Sequence, residues 1–358
     1  MRTHLSPLQY YRFNKLCKEA VEEYTRRVGN GVNDNEAADV VMTVLKRHFP
    51  STGWVDKKQV IQMMSEGSSL RDFLAWWGYG KNIFVFTPEL VEAFGQTDVE
   101  DIPTSVIRPP FSAFYLKFGH RTEIRTVPGS DRFLDGAYIF QWRNGITINY
   151  TQCSSDFQIG SMGLSFYLDL STTDTIGSAL TSGIHVADEL SHQEMEDAKQ
   201  HGTAYDFMQD TESDRQELKE IGLPIFREVT KLVINALAFI LFEENSIRED
   251  WMGAPESMLD KLKKSSTPKE QFRNTSKLLA LGFTKIRLCS ARVDSGQGHE
   301  TGHELRSHWR RGHWRRQPYG TGLAQIRLVW IRPTIVRADK GNPDHGHFYE
   351  GSRHPKSA

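Results

Sequence analysis

The chain has 358 residues and a mass of 41.0 kDa, room for two packed domains or one large one at roughly 100–200 residues per domain. Its 44 Lys and Arg against 45 Asp and Glu leave a net charge of −1, which excludes a protein that coats nucleic acid through global charge, so any electrostatic function must be local. An apolar share of 38% with 11% aromatic residues excludes disorder over most of the length, and three dispersed cysteines, Cys17, Cys153 and Cys289, support neither a disulfide framework nor a cysteine-rich zinc module.

The first apolar stripe, through Leu16, Ala20, Tyr24 and Val28 and through Phe13, Cys17 and Val21, predicts a helix over 7–28 that stops at Gly29. No apolar core precedes it in the manner of a secretory signal. The caps Asn33-Asp34-Asn35 and the stripe Val40, Val41, Val44 and Leu45 predict a second helix, ended by Pro50. Shorter helical patterns follow at 56–65 and 69–77, and Thr87-Pro88-Glu89-Leu90 opens another with Pro at the first helical position. From Ile102 the periodicity shortens. Runs at 113–118, 136–142, 146–150 and 164–170 predict about four strands of a mostly antiparallel sheet, with Arg143-Asn144-Gly145 as a hairpin turn. Helical patterns return at 185–200 and 217–242. The run Leu232–Phe242 is entirely apolar, yet far shorter than the roughly 20 residues that span a bilayer, and reads as a buried helix. Pro255 and Pro268 mark further helix starts; 283–289 and 323–336 predict strands, and 341–358 a loose tail. The fold class is therefore α+β, in five regions: helical 1–100, an antiparallel sheet over 101–175, a helical part over 176–282, a strand element over 283–340, and the tail.

Charge is distributed unevenly. From Asp188 to Glu220 there are eleven acids against three bases, and from Thr301 to Lys340 nine bases against two acids. Either region could be a solvated face, or the two could pair. Within the basic one, His308-Trp309-Arg310-Arg311-Gly312-His313-Trp314-Arg315-Arg316 runs on to Tyr319. Cations interleaved with aromatic rings suit single-stranded RNA, phosphate to guanidinium and base to ring. The same residues would also serve as a structural clasp. His308 and His313 beside arginines admit metal-free ribonuclease chemistry as an alternative. His299-Glu300-Thr301-Gly302-His303 spells a zinc-protease motif, but Gly302 and the preceding glycine-rich loop deny it a helix, so no metal is expected there.

Arg311-Gly312-His313-Trp314, Tyr319-Gly320-Thr321-Gly322 and a strand with Trp330 and Pro333 resemble the C-terminal signature of the second described family of type V-A anti-CRISPR proteins, carried on phages and plasmids. Ile102-Pro103-Thr104-Ser105-Val106-Ile107 through Pro109 to Tyr115-Leu116 resembles that family's middle segment, and 294–305 reads as an insertion relative to it. The resemblance implies an interaction protein without catalytic residue or cofactor, acting in the cytoplasm of a bacterial host. It would recognise the nascent N-terminal polypeptide of the type V-A effector nuclease and bring about loss of its mRNA, with the ribosome, the message or a host nuclease as further partners and no membrane. Expected peptide contacts combine the aromatic strand residues Phe114, Tyr115 and Phe118 with the acidic residues Asp188, Glu189 and Glu194. Expected RNA or ribosome contacts, or clasp residues, are His308, Arg310, Arg311, His313, Trp314, Arg315, Arg316 and Tyr319.

Overall fold

The computed structural model describes residues 6–29, 32–49, 57–125, 131–153, 159–171, 173–182, 223–251, 254–281, 283–290, 308–310, 312–332 and 334–336. Helices α1 (Ser6–Phe13), α2 (Lys15–Val28), α3 (Asp34–His48) and α4 (Lys57–Gly78) open the chain. The helix expected over 7–28 is two. Asn14 leaves the helical region (φ −91°, ψ 118°), and its side-chain oxygen accepts from the Cys17 amide at 2.9 Å, capping α2. Asn33 caps α3 likewise, accepting from the Glu36 amide at 3.2 Å. The two short helices expected over 56–77 are one, because Gly67 serves packing and not termination: a Cβ there would lie 3.1 Å from Leu45 Cδ1 of α3.

Strand β1 (Asn82–Phe86), helix α5 (Pro88–Gly95) and the short β2 (Thr97–Asp98) follow, then β3 (Ala113–Arg125), β4 (Phe133–Trp142), β5 (Gly145–Cys153) and β6 (Ile159–Asp169). These last four form the expected antiparallel meander, its β4–β5 turn made by Arg143, at φ 46°, and Asn144. The sheet then continues. After α6 (Leu223–Phe242) come β7 (Ile247–Asp250), the helices α7 (Glu256–Lys263) and α8 (Pro268–Ala280), and β8 (Ile286–Cys289). The order is β6-β5-β4-β3-β1-β8-β7, with β1 parallel to both β3 and β8. A central parallel strand buried on both faces reads as a plain apolar run, as Ile83-Phe84-Val85-Phe86 does.

Alternation along β1 divides the molecule into layers. Ile83 and Val85 face α1–α4, in a core with Tyr24, Val44, Phe73 and Trp76, while Phe84 and Phe86 face α5 and α6, in a core with Phe94, Leu237 and Phe239. Helix α6 is buried on nearly its whole circumference from Leu232 to Ile240, which explains its apolar run, each large side chain contributing about 1.5–3 kcal/mol. No helix among the described residues is long and apolar enough to cross a membrane. The C-terminal part adds β9 (His308–Arg310), β10 (Gly312–Tyr319), β11 (Gln325–Ile331) and β12 (Thr334–Val336). Here β10 and β11 form an antiparallel hairpin, β2 pairs parallel with the start of β10, and β9 pairs with β12 beyond the hairpin's base. The single strand expected over 323–336 is thus divided. The acidic segment and the tail lie outside the described residues.

Candidate functional site

Period-two alternation along β10 sorts the basic aromatic motif into two sets. Gly312 and Trp314 point inward, and His313, Arg315, Gln317 and Tyr319 point the other way. Trp314 is paired directly across from Trp330 of β11, and the two indoles stack at 6.0 Å and 18°. Both are buried against α6 and α5, where Trp330 meets Phe94 at 5.7 Å and Phe239 edge-on at 5.9 Å.

One buried amide ties this hairpin down. Asn235 of α6 accepts from the Trp314 indole N–H at 2.8 Å and donates through Nδ2 to the backbone carbonyls of Phe94 and Thr97, both at 3.0 Å. The Thr97 hydroxyl donates to Ala93 O at 2.8 Å and accepts from the Trp330 indole N–H at 3.3 Å. The Lys231 ammonium donates to Gly95 O at 2.6 Å, and Gly312 N donates to Gln96 O at 3.0 Å. Four elements, α5, β2, α6 and the hairpin, therefore meet at Asn235. The Trp314 indole is structural.

The opposite face is open. His313 and Arg315 are exposed on it, Tyr319 is 41% exposed, and Arg327 on β11 is exposed beside it, its guanidinium carbon 5.6 Å from the Tyr319 ring centre; Arg316, paired across from Leu328 on the side of Trp314, is exposed as well. Arg315 donates to Gln317 Oε1 at 2.8 Å. Among the described residues neither it nor Arg316 nor Arg327 is ion-paired. The hairpin turns through Gly320 and Gly322, both at positive φ, and through Leu323 at φ 58°, a left-handed conformation uncommon for a residue with a Cβ. Leu323 stands 65% exposed at the tip. His308 and Arg310 are registered opposite Val336 and Thr334; Arg311 lies outside the described residues.

The aromatic residues read as peptide contacts do not share a surface. Phe114 and Phe118 are buried in the α5–α6 core and Tyr115 in the α1–α4 core, on the other side of β3. Asp188, Glu189 and Glu194, like the letters His299–His303, lie outside the described residues. No group of three or more His, Cys, Asp or Glu among the described residues is arranged to hold a metal ion. The three cysteines are buried and none is in a disulfide among the described residues; burial pushes the Cys289 thiol up to about 12 and Cys17 higher still, which makes both poor nucleophiles.

A buried polar network escaped the sequence reading. The Tyr115 hydroxyl donates to Asp135 Oδ2 at 2.7 Å and lies 2.6 Å from Thr151 Oγ1, while the Lys117 ammonium pairs with Asp135 Oδ1. Nearby, Asn149 Nδ2 donates to Asp72 Oδ1 of α4 at 2.8 Å, and Asn149 Oδ1 has no partner among the described residues. Burial raises the Asp72 carboxyl to about 7, against the opposing pull of Arg71, whose Nε is 3.8 Å away. The only local signal was Asp135 within the strand run Phe133-Leu134-Asp135-Gly136-Ala137.

The profile of the AcrVA2-like family, described as the anti-CRISPR type V subtype A2 family, matches residues 84–338, more than half of the chain. Among solved structures the chain is similar to the crystal structure of AcrVA2, with 12% identity, a TM-score of 0.41, and coverage of 92% of this chain and 97% of that one. No curated protein matches.

Proposed function

The chain belongs to the AcrVA2-like family of type V-A anti-CRISPR proteins, and on that premise we propose that it recognises the N-terminal polypeptide of the type V-A effector nuclease as it is synthesised and brings about loss of the effector's mRNA, in the cytoplasm of the bacterial host. Family membership carries this reading. The hairpin supports it: an open face with Arg315, Arg327 and Tyr319, and Arg316 exposed on the other side of the same strand, all free of acidic partners among the described residues, fit the phosphate-rich surroundings of a translating ribosome. Direct RNA binding, with or without cleavage, is the second reading, and the same cations favour it.

The two readings differ in what the protein does to RNA alone. Purified protein mixed with labelled RNA and no ribosomes should leave the RNA intact; cleavage would promote the ribonuclease reading. Replacing Arg315, Arg316 and Arg327 by Gln should weaken co-sedimentation with translating ribosomes and flatten its salt dependence, since fewer counterions are released. Stability should stay within about 0.5 kcal/mol, because these side chains are exposed. Unchanged co-sedimentation would remove the hairpin from the proposal.

A further inference from the structure

A second surface, apart from the β10–β11 hairpin, has the chemistry of a nucleic-acid contact. Helices α7 and α8 form a helical hairpin in which no residue of α7 is buried and Leu278 anchors α8. Its turn is fixed. Asn274 Nδ2 donates to Lys261 O at 3.3 Å and to Ser265 Oγ at 2.9 Å, and the Thr267 hydroxyl caps α8 by accepting from the Glu270 amide at 3.3 Å.

On this support Lys269, Arg273 and Lys277 recur every fourth residue, so they stand in one line on one face of α8, about 6 Å apart along its axis. None of the three is ion-paired among the described residues. Lys261, Lys263 and Lys264, all exposed, add charge from the end of α7. The one acid between 261 and 277, Glu270, is already engaged: hydrogen bonds from the Ser266 and Thr267 backbone hold its carboxyl below the usual range. Beside the cations Phe272 is 75% exposed.

We propose that the α7–α8 hairpin binds single-stranded RNA, with Lys269, Arg273 and Lys277 on phosphates and Phe272 stacked on a base. Lysines dominate the surface, and a lysine meets phosphate as a point charge without the fixed fork that arginine offers a carboxylate. An exposed ring next to a cation line gives a base a stacking face, whereas an acidic peptide has no use for it. The contact is indifferent to sequence, and it stands independently of nascent-peptide recognition.

The test uses the full chain and a labelled, unstructured oligoribonucleotide unrelated to the effector message, titrated at several salt concentrations. With Lys269, Arg273 and Lys277 changed to Gln, the slope of log K against log salt should fall by about 2, near 0.7 per lost phosphate contact. Phe272→Ala should weaken binding about 5- to 150-fold and leave the slope unchanged. Melting temperatures close to the parent's establish that the exposed substitutions leave the fold intact. The proposal is overturned if the parent does not bind RNA at low salt, or if both variants bind as it does while the Arg315, Arg316 and Arg327 variant has lost binding. Tighter binding of labelled polyglutamate than of RNA would overturn it in favour of an acidic protein partner.

Discussion

Replacing Asn235 by Leu is expected to lower the free energy of unfolding by about 5 kcal/mol. The substitution keeps the branch at Cγ and removes the three hydrogen bonds that Asn235 makes. It strands the Trp314 indole N–H and the carbonyls of Phe94 and Thr97 in a dry interior, and each such group costs about 1–3 kcal/mol. Trp314→Ala should cost about 3–5 kcal/mol, since it opens a cavity between Trp330 and Phe242. Thr97→Val, which removes one donor and one acceptor, should cost less. Chemical denaturation measures all three, and a loss below about 1 kcal/mol for Asn235→Leu would show that the amide does not hold the clasp. Because this clasp fixes the hairpin's base, knock-down of the effector should fall in these variants although Arg315, Arg316 and Arg327 are intact.

The second large effect is a pH dependence centred on Asp72. Its folded-state pKa is raised to about 7, above the ordinary value of 3.8, so the folded state holds this proton more tightly than the unfolded chain. The group's contribution is fully present below pH 4 and is lost as pH rises towards 7. At about 1.4 kcal/mol per unit, the loss is somewhat over 4 kcal/mol and is complete above pH 7. Asp72→Asn removes the titration and supplies an amide N–H to Asn149 Oδ1, the buried oxygen left without a partner among the described residues. The variant should match the parent near pH 4 and exceed it by a few kcal/mol at pH 8. Urea denaturation across that range is the measurement. A difference between the two proteins that does not vary with pH would mean that Asp72 is ionised in the fold throughout.

What the sequence made legible were features whose cause is local. Asn33 as a helix cap, Pro88 and Pro268 at first helical positions, the Arg143-Asn144 turn and the burial of Leu232–Ile240 all follow from a few adjacent residues. Features that depend on distant partners did not show. Ile83-Phe84-Val85-Phe86 is too short and too uniformly apolar to declare itself a strand, and its parallel neighbours, β3 and β8, lie about 30 and 200 residues further along the chain. The pattern over 56–77 read as two short helices, although Gly67 lies inside one helix, where a Cβ would meet Leu45 of another. In the candidate site, cations and rings were visible as a motif, but whether an indole faced solvent or core was decided by Asn235, 79 residues before Trp314. The Asp72–Asn149 pair likewise joins residues 77 apart, with no pattern around either.

Reading a nascent polypeptide is a claim about which polymer carries the information. A peptide-binding protein is blind to synonymous codons and sensitive to side chains, and an RNA reader is the reverse. The first thirty or so codons of the effector can be recoded synonymously in one reporter, and in another frameshifted with the nucleotide sequence held nearly constant. With this protein expressed, knock-down of the reporter and of its mRNA should survive recoding and vanish on the frameshift. Knock-down that survives the frameshift and is lost on recoding would contradict nascent-peptide recognition and place specificity in the RNA.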